Sequence, residues 1–180
     1  MIDLALAAGR AGVIRHEIER KFRMLSPAEA IEASAKIEGT LEAVKLIEQR
    51  YLPDTGDWTV RVRRSTILTE DGRVEHFLTL KRKVSMVSCV EIETPIDAEI
   101  HDQLAACAGH AIRKRRSCIR FDGFLWEVDL FLNPELGGLE IAEIELPSED
   151  AAFSTPAWIG GDVTHKRRYK NARLVKLIEA

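Results

Sequence analysis

Glu17-Ile18-Glu19-Arg20-Lys21 sets two carboxylates and an ammonium at a strict spacing of two. On an extended chain successive side chains alternate between faces, so all three project from one face of an early strand. Carboxylate oxygens are hard donors suited to a divalent cation, and an ammonium neutralises phosphate oxygens. The same grammar returns as Arg61-Val62-Arg63, Thr79-Leu80-Lys81, Glu91-Ile92-Glu93, Lys114-Arg115-Arg116 and Glu143-Ile144-Glu145, mostly with an apolar residue between. Like charges at i and i+2 lie about 6.5 Å apart and repel mildly. Most of these runs nevertheless carry one sign only, whereas a solvated sheet face more usually mixes signs. A polyanion bound through a divalent metal accounts for the segregation.

Alternation alone also allows the reverse arrangement, with the charges in solvent and Val60, Val62, Ile92, Trp126, Val128, Ile144 and Leu146 filling an ordinary core. If the charged faces point inward instead, they must line a wide closed barrel whose apolar outer faces are covered by helices.

The elements that would carry these faces can be placed along the chain. Strands are expected at about 14–25, 58–67, 74–84, 88–93, 112–121, 125–132 and 139–146, with Asp71-Gly72 and Asp122-Gly123 as turn signals. Ser26-Pro27-Ala28-Glu29 opens a helix running to Gly39, with Ser26 as N-cap and Glu29 at the capping-box position. A second helix starts at Thr94-Pro95-Ile96-Asp97 and ends near Gly109, its apolar stripe read as Ile96, Ile100, Leu104 and Cys107. A terminal helix spans about Lys166 to Ile178. The stretch Leu41 to Leu52 is helical by propensity, but its position before Pro53 and Gly56 suits a strand and turn.

At 180 residues, 46% hydrophobic and 31% charged, the chain fits one globular unit. A net charge of −3 argues against nucleic acid or an anionic membrane surface as partner. Cys89, Cys107 and Cys118 lack both the number and the spacing of a disulfide framework or zinc site, which suits a cytoplasmic setting. No signal peptide or membrane span is read in the sequence. His16, His76, His101, His110 and His165 show no metal-ligand spacing, and there is no phosphate-binding glycine loop.

Taken in order, these motifs resemble the CYTH proteins, or triphosphate tunnel metalloenzymes, whose N-terminal signature Glu-x-Glu-x-Lys is matched by Glu17, Glu19 and Lys21. The resemblance continues through Arg61-x-Arg63, Thr79-x-Lys81, Glu91-x-Glu93, Lys114-x-Arg116, Trp126 to Phe131, Glu143-x-Glu145 and Val163-Thr164 followed by Tyr169-Lys170-Asn171. It spans residue 16 to about 174 and is closest to the short bacterial inorganic triphosphatases. The implied fold is α+β and mainly antiparallel β: an eight-stranded closed tunnel barrel with helices packed outside and a C-terminal helix. Residues 1–15 would be an N-terminal extension and 16–180 a single domain. The resemblance also makes Val44 to Leu52 a strand, with Tyr51 on the tunnel wall.

The implied activity is metal-dependent hydrolysis of inorganic triphosphate to pyrophosphate and phosphate, with Mg²⁺ or Mn²⁺ as cofactor. Glu17, Glu19, Asp129, Glu143 and Glu145 would hold the metal, and Glu91 and Glu93 would complete the acidic wall. Lys21, Arg61, Arg63, Lys81, Lys114 and Arg116 would cradle phosphates. Tyr51 and Lys81 would form a catalytic pair in which the ammonium lowers the phenol pKa toward a general base. Glu127 is placed at the periphery of the metal shell and Lys83 near a tunnel mouth. The basic run Lys166, Arg167, Arg168 and Lys170 either plugs one end and offers a cation, or is a solvated face. Many members carry a base where Cys89 stands, which implies weaker phosphate binding or a different substrate length preference. Relatives also form paired barrels, so a homodimer is compatible. Other activities on the same tunnel are nucleotide or thiamine triphosphatase and class IV adenylyl cyclase. A non-enzymatic polyphosphate sensor would use the basic half alone.

Overall fold

The computed structural model describes residues 12–33, 39–53 and 56–178. Eight strands form a closed antiparallel barrel: β1 (Val13–Met24), β2 (Thr40–Tyr51), β3 (Trp58–Ile67), β4 (Val74–Lys83), β5 (Ser88–Pro95), β6 (Ile112–Phe121), β7 (Phe124–Phe131) and β8 (Glu140–Glu145). Their order around the barrel is β5-β4-β3-β2-β6-β7-β8-β1, and pairing of β1 with β5 closes it. Closure leaves no long open edge and creates an inside in which alternate residues of every strand are confined. The segment from Thr40 to Tyr51 is β2, so its position between two sheet partners overrides its helical propensity.

β1 is the strand on which closure turns. Val13 to Ile18 pair with β5, and Glu19 to Arg23 pair with β8, so the Glu-x-Glu-x-Lys run straddles the seam. A ninth short strand, β9 (Ile159–Asp162), unexpected from sequence because of its Gly160-Gly161 centre, adds to the far end of β1 opposite Phe22 and Met24. Between β6 and β7, Asp122 and Gly123 have φ of 46° and 81°. Two consecutive positive values are what a tight turn matching strand twist demands, and they fix the register that sets Asp129 opposite Arg116.

The apolar outer face of β1, β6, β7 and β8 forms the main core. Phe22, Ile119, Trp126, Val128, Ala142, Ile144 and Leu146 pack there with Ala28 and Ile31 of helix α1 (Ala28–Ala33) and with Trp158 and Ile159. Trp126, fully buried, meets Phe22, Phe153 and Trp158 at centroid distances of 5.5, 6.1 and 5.8 Å. The Glu140 carboxylate accepts a hydrogen bond from the Ala28 N–H at 2.9 Å, capping α1 from β8. The side chain of Glu29 and the stretch 34–38, through which the helix was expected to run to Gly39, lie outside the described residues.

Helix α2 (Ala98–Ala106) lies on the outside of β3 and β4, with a packing face one residue away from the expected stripe. His101 is its buried residue, its ring tilted against that of His76 of β4 at a centroid distance of 4.8 Å, while Ile100 and Cys107 are exposed. The imidazole wins the inward position because Asp102 supplies a 2.9 Å partner for its Nδ1, satisfying the buried polar group. The terminal helix is shorter than expected. A 3₁₀ turn at Arg167–Tyr169 precedes extended Lys170, and helix α3 runs Asn171–Ile178. Among the described residues no helix is long and apolar enough to cross a membrane.

Replacing Trp126 by alanine removes the centre of this aromatic cluster. The expected cost is roughly 3–5 kcal/mol of unfolding free energy, read from a lowered denaturant midpoint at unchanged slope.

Candidate functional site

The charged runs point inward. Glu17 and Lys21 from β1, Arg61 and Arg63 from β3, Lys81 from β4, Glu91 and Glu93 from β5, Lys114 and Arg116 from β6, and Glu143 and Glu145 from β8 line one cavity of about 960 Å³. Glu19 and Tyr51 line it as well. Asp129 sits behind the wall instead: it is fully buried and binds Lys114 and Arg116. The strand period of two, imposed on a closed barrel, is enough to gather residues spread from position 17 to 145.

Each sign meets its opposite, mostly on a facing or neighbouring strand. The Lys81 ammonium donates to Glu17 at 2.5–2.7 Å and lies 2.8 Å from Glu91. Lys21 lies 2.7 Å from Glu19 and is also bound to Glu143, and Arg63 grips Glu93 with both carboxylate oxygens at 2.9–3.0 Å. Arg116 reaches Asp129 at 2.6 and 2.7 Å, Glu143 at 3.1 Å, and Glu127. Glu127 lines the cavity and is held by Arg116.

Pairing is incomplete, and the surplus is informative. The Nε–H groups of Arg61 and Arg63 are buried with no hydrogen-bond partner. A buried donor left unpaired costs about 1–3 kcal/mol, so two from alternate positions on the inner face of one strand mark a place for a missing anion. On the acid side, burial, with Glu17 and Glu127 nearby, pushes Glu145 up to about 7 despite the attraction of Arg15. Burial and Glu143 likewise raise Glu19. For Glu17 burial also acts upward but is outweighed by Lys81, the Cys89 thiol and Arg61, which hold it down at about 2. Burial and the Arg116 charge lower Lys114 to about 8.

The Tyr51 phenol moves the other way from the expectation of a lowered value. Its burial outweighs Arg61, Lys81 and Lys21, so it is raised. Lys81 is committed to Glu17 and Glu91, and the groups on the phenol are Gln49 at 3.1 Å and the facing Arg61. Cys89 stands where a base was expected in the family pattern. Its thiol donates to Glu17 at 3.0 Å, and burial together with that carboxylate pushes it up to about 12, making it a neutral wall residue.

One end of the tunnel is closed by apolar packing. Ile112, Phe131 and Ile141 continue the inner faces of β6, β7 and β8 beyond the charged positions and meet Val163, Tyr169, Leu174 and Val175. The terminal helix thus sits on that end. Lys170 lines the cavity, half-buried, its ammonium lowered by burial and Lys21, whereas Lys166, Arg167 and Arg168 are exposed. Lys83 is exposed at the cavity rim.

Sequence reasoning assigned no role to Arg15, Gln49 or Thr79. Arg15 bonds Glu91 at 2.7 Å, Thr79 donates to Glu93 at 2.9 Å, and Gln49 is buried between Tyr51 and Arg61. Each lies two positions from a residue already singled out, so face parity was the signal that could have found them.

A divalent cation fits this donor set. The raised carboxyls of Glu19 and Glu145, beside Glu17, Glu127 and Glu143, are excess negative charge that hard oxygen coordination would relieve. Lys21 already draws Glu19 and Glu143 from two strands toward one cation. Among the described residues no three such groups form a finished coordination cage.

Comparison with known proteins supports this geometry. The CYTH domain model matches residues 15–176. The inorganic triphosphatase of Acetivibrio thermocellus is 40% identical over 164 residues, covering 89% of this chain and 93% of the relative. That of Nitrosomonas europaea is 36% identical, with 88% and 95% covered. The crystal structure of the inorganic triphosphatase NE1496 superposes with a TM-score of 0.57 at 35% identity, covering 88% of this chain and 93% of that one.

Glu17 ionises in the fold well below the ordinary 4.5, so its pairing stabilises the protein above that pH and is lost as pH falls toward about 2. In chelator-treated protein, urea midpoints between pH 5 and 2 are expected to show a loss of roughly 2–3 kcal/mol from this group. Lys81→Met, which removes its main partner, should flatten that acid limb.

Proposed function

The chain belongs to the CYTH family, and from that premise we propose that it hydrolyses inorganic triphosphate to pyrophosphate and phosphate inside the charged tunnel. The observation that carries this reading is the pair of unpartnered buried guanidinium donors on β3, facing acids of surplus charge across the same cavity. A pure anion binder would gain nothing from so many enclosed carboxylates, whereas a metal-bound polyphosphate uses both halves.

Arg61, Arg63 and Arg116 present planar forks suited to bidentate phosphate contacts, and Lys21, Lys81 and Lys114 act as point charges along the chain of phosphates. Glu17, Glu19, Glu143 and Glu145, with Glu91 and Glu93 on the adjoining wall, would hold the divalent ion directly or through its water, while Asp129 fixes Lys114 and Arg116. When bound, Mg²⁺ or Mn²⁺ would supply positive charge to the phosphate oxygens. Water attacks the terminal phosphorus, the bond to the pyrophosphate oxygen breaks, and the cationic wall stabilises charge on both fragments. Lys81 and Tyr51 act at the reacting end, Lys81 as the cation released from Glu17 and Glu91 when phosphate arrives. The closed end formed with α3 keeps bulk water from one side of the reacting group.

Residues 16–180 act as one catalytic domain in this reading. The partner is a small triphosphate in the cytoplasm, not a nucleic acid or membrane, and the barrel is compatible with pairing into a homodimer.

Phosphate release from tripolyphosphate, ATP and pyrophosphate with Mg²⁺ or Mn²⁺ tests the proposal. Release from tripolyphosphate is expected to exceed that from ATP and to fall by about 100-fold or more in Glu19→Ala and in Lys81→Ala. No release from any of them by the folded protein would overturn it.

A further inference from the structure

Gln49 is the most completely buried uncharged polar side chain on the cavity wall beside Tyr51, at 1% exposure, and its orientation is fixed by chemistry. Arg61 carries donors only, so the group facing its Nη1 at 3.4 Å must be the Gln49 carbonyl oxygen. The amide nitrogen therefore points the other way, where it donates to the Tyr51 phenol oxygen at 3.1 Å. An amide hydrogen and the phenol hydrogen cannot share that line, so the hydroxyl hydrogen is turned off the wall. The charged groups that act most strongly on the phenol are Arg61 from β3, Lys81 from β4 and Lys21 from β1, all cations, and none of the three can accept that hydrogen.

We propose that Gln49 is a positioning residue of the triphosphate site: locked by Arg61, its carboxamide holds the Tyr51 hydroxyl so that its hydrogen is given to a phosphate oxygen of the substrate. Tyr51 then serves as a neutral hydrogen-bond donor rather than as the base that activates water. This inference rests on the hydrolase reading above and sharpens it.

A double-mutant cycle on tripolyphosphate hydrolysis tests it. Gln49→Glu is nearly isosteric, but its carboxylate accepts from both Arg61 and the phenol, turning the hydrogen back to the wall. It is expected to lower kcat/KM about tenfold in the wild-type background and less than about twofold in Tyr51→Phe. An equal loss in both backgrounds would mean that Gln49 acts apart from the phenol, and would overturn the inference. The alkaline pH–rate profile supplies the second reading. A donor predicts activity that falls as the phenol ionises, a limb absent from Tyr51→Phe; a rising limb lost in that variant would make Tyr51 a base and sink the proposal.

If wild-type protein hydrolyses no tripolyphosphate, the hydrolase reading fails, and Gln49 is still tested by tyrosinate absorbance. The chain has two tyrosines, so the difference between wild type and Tyr51→Phe isolates Tyr51. Gln49→Leu, which deletes a donor to the phenolate, should move its ionisation upward; an unchanged midpoint would show that Gln49 does not hold the phenol.

Discussion

Charge enclosed by a closed barrel has to be neutralised by other charge, and almost every feature of this molecule follows from that constraint. Water cannot solvate the inner face of eight strands as it would a sheet surface, so a lone buried carboxylate or ammonium would cost several kcal/mol. Acidic runs on β1, β5 and β8 are therefore met by basic runs on β3, β4 and β6. The contacts of Lys81 with Glu17 and of Lys21 with Glu143 tie strands far apart in sequence, while those of Lys81 with Glu91 and of Arg116 with Asp129 join consecutive hairpin strands. The like-charged pairs within each strand become tolerable because the opposite sign lies across a strand boundary.

The balance stops short of completion, and function enters there. Arg61 and Arg63 keep buried donors free, while Glu19 and Glu145 hold their protons more tightly than usual. A polyphosphate with its divalent ion offers the two missing partners at once: oxygens for the guanidinium groups and a cation for the acids. Because the dipoles and charges are already oriented by the barrel, little reorganisation is needed when substrate arrives. The apolar clusters keep this arrangement rigid. One wraps the outside around Trp126, and the other seats α3 on the tunnel end through Tyr169, Leu174 and Val175.

Much of the fold was legible because strand signals here are strong. Asp71-Gly72 and Asp122-Gly123 lie at the hairpins, and period-two patterning located seven strands without help. Thr40–Tyr51 resisted, since Leu, Glu, Ala and Lys favour helix intrinsically and only the flanking strands β3 and β6 impose extension. β9 resisted because two glycines carry no pattern, and the face of α2 shifted by one residue when His101 found partners in His76 and Asp102.

The sequence by itself determined which residues share a face, because a period of two survives any folding of the strand, and it determined the sign of charge on each face. That is why thirteen charged positions and Tyr51 could be named from spacing and family resemblance. Which way those faces pointed required closure of β1 onto both β5 and β8, pairing residues as distant as Glu19 and Glu145. Partner choice was likewise tertiary. Lys81 turned to Glu17 and Glu91 rather than to Tyr51, and Gln49, on the same face as Tyr51 by parity, came to stand between the phenol and Arg61. Hydrogen bonds are decided by angles and distances of a few tenths of an ångström, and a linear pattern does not carry that information until the barrel is shut.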